Sequence, residues 1–252
     1  MSLKQKIKNA LPPGFKKAIG PMLKKRYWNK DYDQALKKFS DLFYKERLQA
    51  EQSIPSVDVE QRHIQNCKVI LNRATLLSLL PKNAVCAEIG VDKGEFSEQI
   101  LAATTPAKLH LIDVWGDPGR YHDGLKLQIE EKFKNQIQAK TIEINLGYST
   151  DVLANMPDAY FDWVYLDTDH SYKTTAQELK LLNRKLKPAG IICGHDYIMG
   201  NWVGGIRYGV MEAVHEFCVK ENWELIYITI NKNEMPSFAI KRIVSENCKN
   251  LL

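Results

Sequence analysis

Two apolar runs end in residues that could bind a nucleoside. The first contains Glu88 and turns through Gly90 to Gly94, which opens a helix. Because glycine has no Cβ and tolerates a positive φ, such a turn lets the backbone approach a ligand closely. The second run ends about twenty residues later at Asp113, the separation at which an α/β nucleotide fold binds both ribose hydroxyls. Together these residues predict an adenosine-containing cofactor.

The composition of the first turn narrows the range of ligands that it could bind. A dinucleotide fingerprint places three glycines around a pyrophosphate, and this turn has fewer, so a ligand without phosphates fits better. Trp115 follows the ribose acid by two residues and either lies along the adenine or packs under its loop. Tyr148 and Ser149 follow the next predicted strand, where that loop is expected to meet the adenine ring.

Polar side chains crowd after two later apolar runs. They are Asp167, Asp169, His170, Tyr172, His195 and Asp196. Because the carboxyl ends of neighbouring parallel strands share one edge of a sheet, we expect these groups to lie close together. Carboxylates and imidazole can hold Mg²⁺, Ca²⁺ or a transition metal, can act as a general base, or can form structural ion pairs. The Asp-x-Asp pattern at 167–169 also occurs in glycosyltransferases that use nucleotide sugars, a weaker interpretation here.

Residues 197–208 are too rich in glycine and aromatic residues for a plain connector. The segment directly follows the His195-Asp196 pair. We predict that it closes over a substrate, with Trp202, Arg207 and Tyr208 in contact, beside Asp169 and Tyr172 of the preceding loop.

The elements that must position these residues alternate along the chain. Strands are predicted at 84–90, 108–113, 141–146, 162–167 and 189–194, and helices at 94–103, 123–138, 149–155, 174–186 and 206–220. This alternation is typical of a mostly parallel sheet covered by helices. Strand-like runs at 224–230 and 237–243 are joined by a connection too short for a helical crossover, which predicts an antiparallel hairpin.

The residues before position 81 have a different character. Residues 1–30 contain nine Lys or Arg and no acid, whereas the rest of the 252-residue chain has 26 basic and 30 acidic residues. We predict a basic tail at 1–30 that is either solvated or in contact with an anionic membrane surface. Helices at 31–51 and 60–80 then form a helical cap at 31–80, followed by the main domain at 81–252.

Composition excludes several classes of protein. The overall charge of +5 comes from the tail, so the mildly acidic remainder is not expected to bind nucleic acid. No apolar run approaches the length of a membrane span, and the N-terminus lacks a secretory signal, so we expect a cytoplasmic protein. Five scattered cysteines without a Cys-x-x-Cys pair agree with a reduced compartment.

The combined motifs resemble class I S-adenosylmethionine-dependent methyltransferases over about residues 84–243. The residues that carry the resemblance are Glu88-x-Gly90-x-x-x-Gly94, Asp113, Asp167-x-Asp169-His170-x-Tyr172, Leu186-Lys187-Pro188-Ala189-Gly190 and His195-Asp196-Tyr197. They are most similar to the methyltransferase-24 group, which includes macrocin-O-methyltransferase-like enzymes. The resemblance implies a Rossmann-like, seven-stranded, mostly parallel sheet with a C-terminal antiparallel hairpin. The helices before residue 81 then form an N-terminal extension.

The resemblance also implies roles for individual residues. S-adenosylmethionine would contact Glu88, Gly90, Asp113 and the 148–149 loop, beside the residue-based candidates Gly94, Trp115 and Asp167. Relatives that methylate hydroxyls often bind Mg²⁺ through the acid that ends the fourth strand and an acidic pair after the fifth. Here Asp167 occupies the first place and His195-Asp196 the second, with histidine replacing an acid, which leaves magnesium dependence open.

We therefore predict an S-adenosylmethionine-dependent O-methyltransferase acting on a sugar, glycan or natural-product hydroxyl. The candidate general bases are His170 first, then Asp167 and His195, with Asp196 orienting the base or completing a metal site. The alternatives are an NAD(P)-dependent oxidoreductase on a related fold and a non-catalytic adaptor that retains the fold. A homo-oligomer and peripheral membrane contact through residues 1–30 are further expectations.

Overall fold

The structure is a computed structural model of the full chain. It describes residues 51–115, 124–201 and 206–243, together with isolated positions between 34 and 49. The chain divides into two units, Met1–Ser53 and Ile54–Leu252. In the first unit the described positions from 34 to 53 are helical, in agreement with the helix predicted at 31–51. The predicted tail at 1–30 lies outside the described residues, and the predicted boundaries at 30 and 80 stay predictions.

The second unit alternates strands and helices. Its strands are β1 (Lys68–Ile70), β2 (Val85–Ile89), β3 (Lys108–Asp113), β4 (Ile142–Leu146), β5 (Phe161–Leu166), β6 (Leu186–Gly194), β7 (Gly200–Asn201), β8 (Ile206–Arg207), β9 (Trp223–Thr229) and β10 (Phe238–Arg242). Its α-helices are α1 (Arg73–Leu79), α2 (Glu95–Thr104), α3 (Leu125–Lys132), α4 (Lys134–Gln138), α5 (Ser149–Asn155), α6 (Tyr172–Lys185) and α7 (Val210–Glu221). A short 3₁₀ helix, Gln61–His63, precedes them.

Eight strands form one sheet in the order β1-β9-β10-β6-β5-β2-β3-β4. Only β10 runs antiparallel to its neighbours, β6 and β9, which confirms the α/β class and the C-terminal hairpin. The strand order reverses between β2 and β5, and ligands bind α/β sheets at such a switch point. Ile89, Ile112, Leu166 and Gly194 stand side by side across four parallel strands. The residues after these positions therefore meet at one edge.

Helices cover both faces of the sheet. One apolar cluster packs α5, α6 and α7 against one face, and the other packs α1, α2 and α3 against the opposite face. The strands supply both clusters because side chains alternate along them: Val164 and Leu166 belong to the first cluster, and Trp163 and Tyr165 to the second. Burial on both faces explains why these strands read as nearly continuous apolar runs.

Three predicted helices differ from the structure. Residues 60–80 are not one helix: they contain the 3₁₀ turn, then β1, then α1, whose N-cap Asn72 accepts a hydrogen bond from the Thr75 amide at 2.8 Å. The strand β1 pairs in parallel with β9 and is an eighth strand added to the seven predicted. The helix predicted at 123–138 is two helices that meet at Phe133, and the one predicted at 206–220 begins only at Val210.

No helix among the residues that the structure describes is long and apolar enough to cross a membrane.

Candidate active site

A cavity of about 480 Å³ opens at the carboxyl edge of the sheet. It is lined by Gly90, Ile112, Asp113, Val114, Gly147, Tyr148, Ser149, Thr150, Thr168, Asp169, Ser171, Lys173, Thr174 and Gln177. These residues follow β2, β3, β4 and β5 and continue into the first turns of α6. The lining includes Gly90, Asp113, Tyr148 and Ser149, four of the residues predicted to contact the cofactor, and Asp169, predicted to contact the substrate.

Gly90 allows the β2 and β5 loops to meet. Its φ is +88°, and a Cβ at this position would lie 2.0 Å from the carbonyl oxygen of Asp167. Both the backbone conformation and the contact exclude a side chain. Glycine here therefore holds the wall of the cavity directly against the residue that follows β5.

Asp113 organises the turn after β2. One carboxylate oxygen accepts hydrogen bonds from the amides of Val91, at 2.7 Å, and Asp92, at 2.9 Å, and the other accepts one from Val114 at 2.6 Å. The side chain is nearly buried yet lines the cavity. Three backbone amides thus fix the orientation of this carboxylate at the wall of the cavity.

Three other predicted cofactor contacts are not among the residues that line the cavity. Glu88 is buried and accepts a short hydrogen bond from the Ser97 hydroxyl, and burial raises its pKa to about 8. Gly94 is the N-cap of α2, and a Cβ at this position would lie 2.8 Å from the Phe133 ring. Trp115 is buried, and its indole N–H donates to the Asp92 carbonyl at 2.9 Å. Their roles as direct contacts stay predictions, and their positions indicate support for the wall.

Two aspartates and two histidines come together after β5 and β6. Nε2 of His170 lies 2.8 Å from Oδ2 of Asp196 and 3.3 Å from Oδ1 of Asp167. Nδ1 of His195 lies 3.3 Å from Asp196 and 3.5 Å from Asp167. The sequence predicted this meeting of two strand ends. Asp167 directly precedes Thr168 of the cavity lining, so the cluster adjoins the cavity.

The acids and the imidazoles of this cluster stabilise one another's charged forms. Burial alone would lower the pKa of each imidazole, yet the two carboxylates raise the pKa of His170 and of His195 to about 9. Burial alone would raise the pKa of each acid, yet hydrogen bonds from the histidines hold the pKa of Asp167 and of Asp196 below the usual range. Without a further cation, both imidazoles therefore keep their protons at neutral pH.

The backbone at the cluster is strained at two residues. His170 has a φ of +61° and Asp196 a φ of +55°, in the left-handed region that residues other than glycine rarely adopt. Such conformations cost about 1–3 kcal/mol each. Here they turn both side chains toward one point, where the 2.8 Å contact forms.

Comparison with known proteins identifies the domain. Residues 87–197 match the methyltransferase-24 family model, described as a methyltransferase domain. This region is a class I S-adenosylmethionine-dependent methyltransferase domain. None of the curated protein sequences matches the chain significantly. The recognised family and the assignment as an S-adenosylmethionine-dependent methyltransferase are thus both confirmed.

Solved structures agree on the fold. The pyocyanin biosynthetic protein PhzM is 13% identical, with a TM-score of 0.52 over 68% of this chain and 54% of its own length. A protein from Clostridium thermocellum proposed to be an rRNA methylase is 13% identical, with a TM-score of 0.51 over 69% of this chain and 94% of its own. The chain thus spans about half the length of PhzM. At these identities the likenesses show the fold.

The methyltransferase domain offers a donor set for a metal ion. Among the described residues, Asp167, His170 and Asp196 each present one ligand atom, and these atoms lie within 4.8 Å of one another. The sequence named His195 as the nitrogen ligand, whereas here the set contains His170. His195 lies beside the same acids, and its buried Nε2 has no hydrogen-bond partner. Two carboxylates and one imidazole suit Mn²⁺ or Fe²⁺ better than Mg²⁺.

The residues predicted to contact the acceptor have different surroundings. The ring of Tyr208 lies 4.8 Å from that of His170, centroid to centroid. The Tyr172 hydroxyl donates to Glu216 on α7, and neither residue belongs to the cavity lining. Arg207 donates to the Met199 carbonyl at 2.9 Å and pairs with Glu212. Trp202 lies outside the described residues.

Arg73, on α1, was missed because the sequence assigned its segment to a helical cap. Its Nη1 lies 3.9 Å from Asp167, and its Nε donates to Glu234 at 3.4 Å. Its guanidinium lies 4.8 Å from the centre of the Phe96 ring. The Asn72-x-x-Thr75 cap pattern was the available signal, because it indicates a helix that begins at residue 73.

Proposed function

We propose that this methyltransferase domain transfers a methyl group to a hydroxyl oxygen of a sugar, glycan or natural product. The observation that carries the proposal is the group formed by Asp167, His170 and Asp196 beside the cavity. A protonated hydroxyl is a poor nucleophile, so its methylation requires a base or a Lewis acid near the acceptor oxygen. A cluster of acids and imidazoles at the substrate edge of the sheet supplies such a group.

The cavity is the proposed cofactor site. Its lining supplies a carboxylate for the ribose at Asp113, close backbone approach at Gly90, and the 148–149 loop for the base. When bound, S-adenosylmethionine provides an electrophilic methyl carbon on a sulfonium. The protein's own contribution is to hold the acceptor oxygen in line with that carbon and to exclude water, and such alignment accounts for a large part of the rate of methyl transfer.

The acids and the imidazole form the proposed site for a divalent cation. An imidazole that donates to two carboxylates retains its proton, which makes His170 a poor base in the metal-free cluster. A cation held by Asp167, His170 and Asp196 would take the place of that proton. The chemistry that it would supply is Lewis-acid polarisation of the acceptor hydroxyl.

The composition of the basic tail supports a proposal about the location of the acceptor. Residues 1–30 combine nine Lys or Arg with apolar and aromatic residues and contain no acid. We propose that this segment brings the domain to an anionic membrane surface, where a lipid-linked glycan would be an accessible acceptor. Deletion of residues 1–30 is expected to abolish sedimentation with vesicles containing anionic lipid. Unchanged sedimentation would refute the proposed contact of residues 1–30 with a membrane.

The decisive experiment measures methyl transfer from labelled S-adenosylmethionine to a panel of sugar, glycan, phenolic and amine acceptors. The assay is run with Mn²⁺, with Mg²⁺ and with a chelator. Asp196→Asn is expected to lower kcat at least about 100-fold, because it removes a carboxylate from the cluster. Asp158→Asn is the matched control, since Asp158 is an exposed acid that precedes β5, at the opposite end of that strand from the cluster.

The outcomes separate the parts of the proposal. Transfer to hydroxyls that is lost on chelation supports both the acceptor class and the cation. Transfer to hydroxyls that is unaffected by chelation would refute the proposed role of the cation and would still support the hydroxyl acceptor class. Transfer to amines alone, or full activity of Asp196→Asn, overturns the proposal.

A further inference from the structure

The chain leaves the charged cluster at Asp196 and returns to it at Gly209. Between these residues lie β7 and β8, which pair antiparallel with Gly200 opposite Arg207. The Gly209 amide donates a hydrogen bond to the carbonyl oxygen of His170 at 2.8 Å. The segment is therefore joined to the cluster at both ends, covalently through Asp196 and by a backbone hydrogen bond to His170.

Gly209 is the N-cap of α7 and packs against the start of α6. A Cβ at this position would lie 2.3 Å from the backbone nitrogen of Tyr172 and 2.5 Å from its Cα. Nonbonded heavy atoms pack best at about 3.5–4.0 Å, so a side chain here would push the two helix starts apart by about 1 Å. Because glycine has no Cβ, its amide can reach the His170 carbonyl, two residues before Tyr172.

The aromatic ring of Tyr208 packs against the imidazole of His170. The ring centres are 4.8 Å apart, and the ring planes are inclined by 37°. Tyr208 is buried, and its amide donates to the Met199 carbonyl at 3.0 Å. An aromatic face attracts a cation, and His170 carries its proton in the metal-free cluster. The ring therefore restrains the side chain of His170, while the Gly209 amide restrains its backbone.

Arg207 fixes the strand that leads to Tyr208. Its guanidinium donates to the carbonyl oxygens of Met199, at 2.9 Å, and of Tyr208. It also forms an ion pair with Glu212 on α7, and both side chains of the pair are mostly buried, so salt screens the pair less than an exposed one. The place of the Tyr208 ring is thus set by α7 and the β7–β8 hairpin, independently of the loop to which His170 belongs.

We propose that Tyr208 and Gly209 are positioning residues that hold the imidazole of His170 against Asp196. His170 needs such support because its φ of +61° lies in a region that residues other than glycine rarely adopt. The consequence for catalysis rests on the proposed cation site, in which His170 is the nitrogen ligand. Replacing groups that orient a metal ligand typically weakens metal binding about 10- to 100-fold.

Proton NMR of the metal-free protein tests the geometry without a ligand. A proton on Nε2 of His170, held by Asp196 and Asp167, should give a downfield signal that exchanges slowly with water. His170→Gln identifies the signal by removing it. Gly209→Ala is expected to abolish the signal or to speed its exchange at least about tenfold, because the backbone of His170 is released.

Gly124→Ala is the matched control. Gly124 is also a helix N-cap, at the start of α3, but no atom of the described residues lies within 4 Å of an added Cβ. Its imidazole signal should equal that of the wild type. Calorimetry with Mn²⁺ then measures the consequence for the cation site: the dissociation constant should rise at least about tenfold in Gly209→Ala and stay unchanged in Gly124→Ala.

Tyr208 provides a second and smaller perturbation. Tyr208→Leu removes the ring and should speed exchange of the His170 proton at least about threefold. Tyr208→Phe keeps the ring and should keep the wild-type rate. The pair of variants separates the ring contact from a general loss of stability, which circular dichroism monitors in every variant.

An unchanged imidazole signal in a folded Gly209→Ala protein overturns the inference. If that variant fails to fold, the Tyr208 variants decide: faster exchange in Tyr208→Leu but not in Tyr208→Phe supports the inference, and any other result refutes it. A wild-type spectrum without a signal that His170→Gln removes also overturns it. A wild-type protein that does not bind Mn²⁺ refutes the proposed cation site, and the imidazole signal still decides the inference.

Discussion

Replacing Glu88 by glutamine tests whether this residue supports the pocket wall or contacts the cofactor. Burial, together with the nearby carboxylates of Asp167 and Asp113, raises the pKa of Glu88 to about 8, against the opposing hydrogen bond from Ser97. The native protein therefore carries a neutral Glu88 at pH 7. The unfolded chain carries an ionised one, since the ordinary pKa is near 4.5.

The sign and size of the effect follow from linkage. A group whose pKa is raised by folding stabilises the native state fully below its unfolded pKa and loses that contribution as pH rises toward its folded pKa. The loss is about 1.4 kcal/mol for each pH unit, or about 3 kcal/mol between pH 5 and pH 7. Glutamine cannot ionise and its amide oxygen can still accept from Ser97, so Glu88→Gln should lack this loss.

Urea unfolding of both proteins at pH 5, 6, 7 and 8 measures the difference. The free energy of unfolding of Glu88→Gln relative to wild type should rise by about 3 kcal/mol from pH 5 to pH 7. Other titrating groups, including His170 and His195, are common to both proteins and cancel. Glu98→Gln, at an exposed position on α2, should show a flat difference. A flat difference for Glu88→Gln as well would refute the argument from burial.

Cofactor affinity provides the second reading of the same variant. Because Glu88 does not belong to the cavity lining, Glu88→Gln should bind S-adenosylhomocysteine within about threefold of wild type. A loss of a hundredfold, about 2.7 kcal/mol, would instead establish the direct contact that the sequence motif predicted.

Three further changes probe the surrounding elements. Gly90→Ala should abolish S-adenosylhomocysteine binding in calorimetry and lower the melting temperature, because its Cβ would overlap the Asp167 carbonyl; normal binding would contradict the close approach of the two loops. Asp113→Asn should weaken that binding at least about tenfold, since one acceptor oxygen becomes a donor; unchanged affinity would exclude Asp113 as the ribose acid. Arg73→Met should cost about 1–3 kcal/mol in chemical unfolding, because Glu234 loses its guanidinium partner and, among the described residues, keeps only the hydrogen bond from the backbone amide of residue 73; no cost would show that the ion pair is dispensable.

The parallel part of the sheet was predictable because its pattern depends on short-range signals. Strands β2 to β6 are apolar runs separated by helical segments, and β3 was predicted at its observed bounds, Lys108–Asp113. The meeting of Asp167 with Asp196 followed from topology alone, since β5 and β6 are parallel neighbours. Sequence could not give which atoms pair, because His170 turns toward Asp196 through a left-handed backbone conformation that no local pattern indicated.

The segment from 60 to 80 shows where local pattern fails. Lys68–Ile70 has only three residues, too few for a period to distinguish strand from helix, and its strand character comes from pairing with Tyr227–Thr229, far away in sequence. That pairing is a tertiary contact, and it overrides the helical appearance of the neighbouring leucines. The same error hid Arg73, which reaches Asp167 only because a new helix begins immediately after β1.

The loop after β5 joins the two halves of the proposed chemistry. Asp167 and His170 belong to the charged cluster, while Thr168, between them in sequence, is held by Glu178 in the wall of the cofactor cavity. Since Gly90 packs directly on the Asp167 carbonyl, this loop cannot shift without disturbing that wall. If the proposed function is right, cofactor recognition and handling of the acceptor proton therefore depend on the same segment at the switch point of the sheet.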